Sequence, residues 1–309
     1  MHVSVLPEEV LHYINAKDGE RFIDGTAGAG GYMERILAVN SKARILGIDL
    51  DQTSLDNLKQ KFVQRNLIER VTLVHGSYSD MLQIGKANDF LPVSGIVLDL
   101  GFSSDQIDDP KRGFSFQGKG PLDMRYNKTQ KLTAADVVNT YAETKLAKIL
   151  YDYGEDKFAK KIARSIVQRR GGNPIANTHD LLGLIEESLP KPIKHKAQDV
   201  ARRIFQAIRI EVNGELDSLR EVLPDTLEAL ETGGRLVVIA FHSLEDRIVK
   251  EFMREASRGC ICPAEFPTCI CGKEPKARML TKKPVTATDE ELNTNPRSKP
   301  AKLRALVKN

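Results

Sequence analysis

The stretch Arg21-Phe-Ile-Asp-Gly-Thr-Ala-Gly-Ala-Gly-Gly-Tyr32 decides the fold of this 309-residue chain. It begins as a short apolar strand, turns through a run of glycines, and continues into the helical pattern Met33-Glu-Arg-Ile-Leu-Ala38. Glycine allows a backbone to turn sharply and to approach a ligand closely, and the free N–H groups at a helix start attract negative charge. We therefore interpret the stretch as a strand, turn and helix that bind a ligand.

A second strand supports this interpretation. The segment Arg44-Ile-Leu-Gly-Ile-Asp49 is apolar and ends in a carboxylate 21 residues after Gly28, near the ~20-residue offset at which an acidic residue binds ribose hydroxyls. The glycines do not fit the G-x-G-x-x-G pattern of dinucleotide sites, and the motif Asp24-x-Thr-x-Gly28-x-Gly30 resembles the first motif of S-adenosylmethionine-dependent methyltransferases. A tight turn that binds nothing is the alternative, which the placement of Asp49 disfavours.

Composition indicates a globular protein whose basic residues are unevenly distributed. Hydrophobic residues make up 41% of the chain, and no apolar run approaches the ~18 residues that a membrane-spanning helix needs. The first residues contain neither a basic region nor an apolar signal-like segment, so we expect a cytoplasmic protein. The net charge is +4, and clusters of Lys and Arg are compatible with a nucleic-acid partner.

The order of elements along the chain predicts an α/β fold with an insertion. Further strands are predicted at 71–76, 93–100 and 235–241, and their alternation with helices is typical of a parallel doubly wound sheet. A loop rich in Gly, Asp and Pro at 103–131 and several helices interrupt this alternation. We predict a methyltransferase domain in two parts, 1–107 and 206–309, with an all-helical domain inserted at 108–205. The stretches 276–287 and 301–307 are predicted to form an antiparallel edge.

Several longer motifs carry a specific resemblance. They are Leu98-Asp-Leu-Gly-Phe-Ser-Ser104, Asp109-Pro-Lys-Arg-Gly-Phe-Ser-Phe116, Gly120-Pro-Leu-Asp-Met-Arg125, Phe205-Gln-Ala-Ile-Arg-Ile-Glu-Val-Asn213, Phe241-His-Ser-Leu-Glu-Asp-Arg247 and Asn295-Pro-Arg-Ser298. Together they resemble the RsmH (MraW) family over nearly the whole chain. The resemblance implies a Rossmann-like class I methyltransferase that uses S-adenosylmethionine to methylate N4 of cytidine 1402 in the decoding centre of 16S ribosomal RNA. The implied partner is 16S rRNA or the small ribosomal subunit, and we expect neither DNA nor a membrane.

The same resemblance implies roles for individual residues. Gly30, Gly31 and Tyr32 would line the methionine part of S-adenosylmethionine, although the family usually has His where Tyr32 stands. The remaining implied cofactor contacts are Asp49 at the ribose, Tyr78 beside the adenine, and Asp99 and Gln106 near the reacting methyl group. No metal is predicted among these residues.

Asp99 is the predicted catalytic residue. The lone pair of a cytidine amino group is delocalised into the ring, so an acceptor for the amino protons would help to localise it. Asp99 ends the fourth strand, at the edge of the sheet where ligands bind, and it serves either as this acceptor or as a partner of the cofactor. The rings of Phe102, Phe114 and Phe116 either stack on a base or belong to the core.

Two further patterns leave alternatives open. His242, Ser243 and Asp246 could suggest a hydrolase triad, but the pair Ser243-x-x-Asp246 also predicts a capping box, as do Thr133-x-x-Asp136 and Thr140-x-x-Glu143. The pairs Cys260-x-Cys262 and Cys269-x-Cys271 could bind zinc or remain reduced thiols.

Two other functions compete with the methyltransferase. The first is a catalytically silent RNA-binding or ribosome-assembly protein on the same fold, which the presence of Gly30, Asp49 and Asp99 disfavours. The second is a dinucleotide oxidoreductase, against which the missing G-x-G-x-x-G counts.

Overall fold

The computed structural model describes residues 4–263 and 270–309. The chain divides into two compact units. The first consists of Met1–Gly101 with Leu216–Asn309, and the second is Phe102–Glu215. The predicted inserted domain, 108–205, lies within the second unit, which extends further at both of its ends.

The first unit is built on one seven-stranded sheet. Its strands are β1 (Arg21–Asp24), β2 (Arg44–Asp49), β3 (Val71–His75), β4 (Val93–Asp99), β5 (Leu230–Ala240), β6 (Ala277–Met279) and β7 (Lys302–Lys308). They lie in the order β3-β2-β1-β4-β5-β7-β6. The strands from β1 to β5 pair in parallel, whereas β7 pairs antiparallel with β5 and with β6. The Rossmann-like class I methyltransferase fold and the antiparallel edge are both confirmed.

Helices connect the strands and form most of the second unit. In chain order they are α1 (Pro7–Ile14), α2 (Gly31–Val39), α3 (Gln52–Gln64), α4 (Met81–Ala87), α5 (Ser104–Asp108), α6 (Ala134–Thr140), α7 (Glu143–Asp152), α8 (Ala159–Arg170), α9 (Thr178–Ser188), α10 (Ala197–Asn213), α11 (Glu215–Ala229), α12 (Ser243–Ala256) and α13 (Asp289–Thr294). Within the described residues, no helix has both the length and the apolar character needed to cross a membrane.

Buried apolar residues cover both faces of the sheet. Neighbouring residues of β1 point to opposite faces and pack in different clusters. Phe22 packs in one buried cluster with Ile45 and residues of α1 and α2, whereas Ile23 packs in another with Leu46 and residues of α4. Side chains alternate along a strand, so a strand buried on both faces reads as a continuous apolar run. The apolar runs of the sequence therefore predicted these central strands.

The second unit has a hydrophobic core of its own. Phe114 is buried in it, and Phe102 and Phe116 are partly buried against it. The ring of Phe114 stacks on Tyr126 with 5.5 Å between centroids, and Phe116 meets Phe205 edge to face. The three phenylalanines therefore act as core residues within this unit.

The predicted helix starts had mixed outcomes. Thr133 and Asp136 form the predicted capping box. The box at Thr140 and Glu143 is wrong, because Ala142 is the residue before α7 and makes no side-chain cap.

The capping box of α12 lies one residue earlier than predicted. His242 has the extended backbone of a cap residue, and its ring accepts from the Glu245 N–H. The Glu245 carboxylate in turn accepts from the N–H groups of Phe241 and His242. Asp246 is bound to Arg304 at 2.6 Å instead, so it is not the carboxylate partner that His242 would need in the suggested triad.

A buried ion pair lies where α10 ends and α11 begins. Gly214, with φ of 60°, separates α10 from α11. The Arg209 guanidinium donates to both carboxylate oxygens of Glu215, at 2.8 and 2.9 Å. The two side chains are 10% and 8% exposed, so removal of either one takes a two-point counter-ion from a buried charge.

We expect Glu215→Ala to lower the free energy of unfolding by about 3–5 kcal/mol, the usual cost of breaking a buried pair from one side. The matched control is Asp217→Ala, which breaks an exposed pair with Arg220 and should cost about 1 kcal/mol or less. Urea unfolding of both variants measures the difference. Equal losses in the two variants would contradict a stabilising role for the buried pair.

Candidate functional site

The glycine turn after β1 is hydrogen-bonded to the strands on both sides of β1. The Gly25 N–H donates to the Val97 carbonyl of β4 at 3.0 Å, and the Ala27 N–H donates to the Ile48 carbonyl of β2 at 2.9 Å. The turn is therefore an extension of the sheet rather than a loose loop.

Three carboxyl groups lie at the same edge of the sheet. Asp24 is the last residue of β1 and is paired with Gly47 of β2 and with Val97 of β4. The flanking strands run two residues further, to Asp49 and Asp99. Because β2 and β4 lead away from β1 in opposite directions, this edge is the switch point at which open α/β sheets bind ligands.

Asp49 is bound by the turn itself. Its Oδ2 accepts from the Gly28 N–H at 2.7 Å, and its Oδ1 accepts from the Asp51 N–H at 2.8 Å. Burial raises the pKa of Asp49, and the two N–H donors partly offset this rise. A carboxylate oxygen has two lone pairs, so each oxygen can still accept from a ligand hydroxyl.

Each of the two glycines at the start of α2 has its own structural reason. Gly30 is in the left-handed region, with φ of 75°, and provides no side-chain cap for the helix. A Cβ atom on Gly31 would lie 1.8 Å from the Ser4 hydroxyl oxygen. The helix therefore begins with uncapped backbone N–H groups, which favour an anionic group of a ligand.

Tyr32 connects Asp99 to the amino-terminal segment. The ring is 5% exposed, and its hydroxyl lies 2.7 Å from the Val5 carbonyl and 3.1 Å from Asp99 Oδ2. A tyrosine hydroxyl has one proton, and a carbonyl can only accept. The hydroxyl proton is therefore given to only one of these two oxygens at a time, and its donation to Asp99 favours the ionised form of that carboxyl.

The electrostatics of the site favour protonated carboxyls. Burial raises the pKa of Asp24 to about 7, with Asp49 adding to the rise and Thr26 opposing it. Burial raises the pKa of Asp99 to about 8; the Tyr32 hydrogen bond lowers it, while Asp24 and Glu245 raise it further. Burial and the Asp99 charge also hold the pKa of Tyr32 above its ordinary value.

Two oxygens of this cluster have no hydrogen-bond partner within the described chain. They are Asp24 Oδ2 and Asp99 Oδ1, and no described ion pair includes either residue. Thr26 joins the two groups, because its N–H donates to Asp24 Oδ1 at 3.1 Å and its hydroxyl accepts from the Asp99 N–H at 2.8 Å. Buried polar oxygens without a partner are uncommon, and these two suit a cationic ligand.

The other two predicted site residues have different surroundings. Tyr78 begins a short helical turn after β3, and a Cβ atom on Gly25 would lie 3.2 Å from the Tyr78 Cβ atom. Gln106 belongs to the second unit, where it is 7% exposed and its Oε1 accepts from the Ser103 N–H. Tyr78 therefore borders the glycine turn, and the role of Gln106 stays a prediction.

Sequence reasoning missed three members of this cluster. Asp24 and Thr26 lie in the quoted motif but are not among the predicted site residues. A carboxylate that ends a buried strand is a signal that could have identified Asp24. Glu245, 2% exposed, had no such signal because it lies on α12, far along the chain. Its influence on Asp99 follows from the packing of the folded chain.

The raised pKa of Asp99 predicts how stability depends on pH. Between its ordinary value of 3.8 and about 8, the folded protein keeps a proton that the unfolded chain has released. The free energy of unfolding therefore falls as pH rises through this window. We expect Asp99→Asn to remove this contribution, so that the variant matches the wild type near the lower limit and exceeds it by a few kcal/mol at the upper one.

Thermal and urea unfolding across the same pH range check this expectation. The control is Asp89→Asn, at an exposed position of the same unit, which should leave the pH dependence unchanged. Parallel stability curves for wild type and Asp99→Asn would show that Asp99 does not hold a proton in the folded state.

Comparison with known proteins places this chain in a family. The model of the MraW methylase family matches residues 1–309. Ribosomal RNA small subunit methyltransferase H of Carboxydothermus hydrogenoformans is 44% identical, with 99% of this chain and 97% of the relative covered. The protein of that name from Caldicellulosiruptor saccharolyticus is 45% identical, with 99% of each covered.

Among solved structures, a rRNA methylase from Streptococcus thermophilus matches with a TM-score of 0.41 and 11% identity, over 98% of this chain and 96% of its own. The fold class rests on the strand order described above. The full-length match and the high identity of the relatives show that the chain belongs to the MraW methylase family, whose methyl donor is S-adenosylmethionine.

Proposed function

We propose that this protein methylates RNA of the small ribosomal subunit, and that the acceptor is N4 of cytidine 1402 in 16S rRNA. Family membership makes the protein a methyltransferase. Relatives that cover nearly its whole length carry the name of a small-subunit ribosomal RNA methyltransferase. The N4 acceptor rests on the sequence resemblance and on the chemistry of the site.

The observation that carries the proposal is the cluster at the carboxyl ends of β1, β2 and β4. It combines a glycine turn, an uncapped helix start and carboxyls of raised pKa. S-adenosylmethionine, when bound, supplies an electrophilic methyl group on a positively charged sulfur. Buried carboxyls that lack a cationic partner, and N–H groups that lack a cap, suit the cationic and anionic parts of that molecule.

We assign the cofactor contacts as follows. The uncapped N–H groups after Gly30 and Gly31 hold the methionine carboxylate, with Tyr32 forming a wall of the same site. Asp49 accepts from the ribose hydroxyls with the lone pairs that Gly28 and Asp51 leave open. The sequence resemblance adds Tyr78, Asp99 and Gln106. The assigned cofactor contacts are then Gly30, Gly31, Tyr32, Asp49, Tyr78, Asp99 and Gln106.

Asp99 is the proposed catalytic residue. A carboxylate that accepts from the cytidine amino protons localises the nitrogen lone pair and orients it for an in-line attack. The nearby sulfonium would favour the ionised form of Asp99, because an opposite charge lowers the pKa of a carboxyl. In this way Asp99 becomes a carboxylate when the site is filled, although its pKa is raised without a ligand.

Basic side chains of the second unit support an RNA substrate. Lys157, Lys160, Lys161 and Arg164 are exposed at or before α8, and one of them, Arg164, is paired with Glu143 at 3.5 Å. Exposed Lys and Arg side chains bind phosphates and release counterions. A silent RNA-binding protein would use the same surface, so catalysis is the property that separates the two functions.

The proposed function predicts a specific labelled product. We expect methyl-labelled S-adenosylmethionine to label N4-methylcytidine in unmethylated small subunits, but not in DNA. Asp99→Asn should fold, bind the cofactor, and lose about 100-fold or more of its turnover, whereas Asp89→Asn should stay active. Mass spectrometry of the digested RNA identifies the nucleoside. Cofactor binding without any labelled RNA would favour the silent RNA-binding protein.

We expect the Tyr32→Phe substitution to shift the pH profile of turnover. The Tyr32 hydrogen bond lowers the pKa of Asp99, so its loss should raise that pKa further above its ordinary value. The rise of turnover with pH should therefore move to higher pH in this variant. Turnover measured as a function of pH is the readout, and Tyr151→Phe, at an exposed position, is the control. An unchanged pH profile in Tyr32→Phe would show that ionisation of Asp99 does not control the reaction.

A further inference from the structure

The segment between α12 and β6 contains four cysteines, and the structure describes three of them, Cys260, Cys262 and Cys271. Residues 257–263 and 270–276 form no helix or strand, and most of them are exposed. Ile261 and Ile270 are 49% and 72% exposed, so these described parts contribute little to a hydrophobic core.

The three described thiols converge in spite of this exposure. The sulfur atoms of Cys260, Cys262 and Cys271 lie within 4.8 Å of one another, and those of Cys260 and Cys271 are 3.8 Å apart. A disulfide requires about 2.05 Å between sulfurs. In a tetrahedral zinc site with Zn–S of about 2.3 Å, neighbouring sulfurs are roughly 3.8 Å apart. The observed separation matches the metal geometry rather than the disulfide.

Backbone donors surround these sulfurs. The Cys262 N–H points to Cys260 Sγ, the Ile261 N–H to Cys271 Sγ, and the Ile270 N–H to Cys262 Sγ, each at 3.4 Å. Each described sulfur therefore accepts from at least one backbone N–H. Such donors stabilise negative charge on sulfur and orient the ligand atoms of a metal site.

The ends of the loop are anchored to the first unit. The Lys276 N–H donates to the Ala256 carbonyl at 2.9 Å, and the Lys273 ammonium contacts Glu255 on α12. These contacts hold Lys273 and Lys276 against the end of α12, and Cys271 lies just before Lys273 in the chain. The contact of its thiol with those of Cys260 and Cys262 brings the two described parts of the loop together. A bound metal would cross-link these parts of the chain and so stabilise them, as buried apolar side chains stabilise other parts of the protein.

We propose that Cys260, Cys262 and Cys271 bind a structural Zn²⁺ that orders the loop between α12 and β6. Thiolates select soft or borderline metals, and zinc is the common metal of closed, tetrahedral thiolate sites. The fourth cysteine, Cys269, lies outside the described residues, and the three described thiols carry the proposal. The site is separate from the cluster of Asp24, Asp49 and Asp99 and does not depend on the methylation reaction.

The test is the metal content of the full chain, purified without an affinity tag, chelator or added metal. We expect about one zinc per chain by elemental mass spectrometry. Cys262→Ser should lose it, with an affinity reduced by more than the roughly 10- to 100-fold that loss of an outer-shell partner costs. The matched control is Ile261→Ser, which keeps the backbone donor and all thiols and should retain the zinc.

A second measurement guards against misfolding of the cysteine variant. Wild-type protein stripped of metal should bind Co²⁺ with the absorption bands of tetrahedral thiolate coordination. Removal of the metal should also speed proteolytic cleavage within 257–276, while cleavage elsewhere stays unchanged. Metal-free wild type that binds neither Zn²⁺ nor Co²⁺, iron in place of zinc, a Cys260–Cys271 disulfide, or full zinc content in Cys262→Ser would each overturn the proposal.

Discussion

The register of β1 between β2 and β4 is the constraint on which the rest of the site depends. Because Asp24 ends β1 two residues before its neighbours end, the glycine turn fits against the last peptide groups of both flanking strands. The same register brings Asp49 to the Gly28 N–H and the Asp99 N–H to Thr26. A slip of one residue would turn every side chain of a strand to the opposite face of the sheet.

This arrangement buries acidic groups close together without a described cation between them. Burial favours the protonated form, and each neighbouring carboxylate adds to the rise in pKa at Asp24 and Asp99. A folded protein keeps such a cluster at some cost in stability, and perturbed groups of this kind are typical of functional sites. The cost is lowered when a positively charged ligand occupies the site. The same electrostatics therefore connect the stability of the free protein to its binding of a cationic cofactor.

Different interactions hold the parts of the chain together, and they differ in how readily a sequence shows them. The sheet is held by apolar strands, whose runs predicted β1 to β5. The second unit is held by a helical core and by the pair of Arg209 and Glu215, which no periodic pattern indicated. The cap of α12 was predicted one residue late, because the extended backbone of His242 decides where the helix begins. Backbone angles at a helix end depend on the preceding strand, and the residue types in the sequence do not by themselves determine these angles.

The sequence by itself determined the alternation of strands and helices, the glycine turn, the acidic residue that ends β2 and the membership of a methylase family. These are local features, since periodicity, glycine content and motifs involve residues close together in the chain. Only the tertiary structure decided that the Tyr32 hydroxyl lies between Val5 and Asp99, 67 residues further along, and that Glu245 influences the same carboxyl. It also decided that Cys260 and Cys271 meet at 3.8 Å. Distances between remote residues, and the burial that sets their pKa values, arise when the chain folds, and local patterns do not encode them.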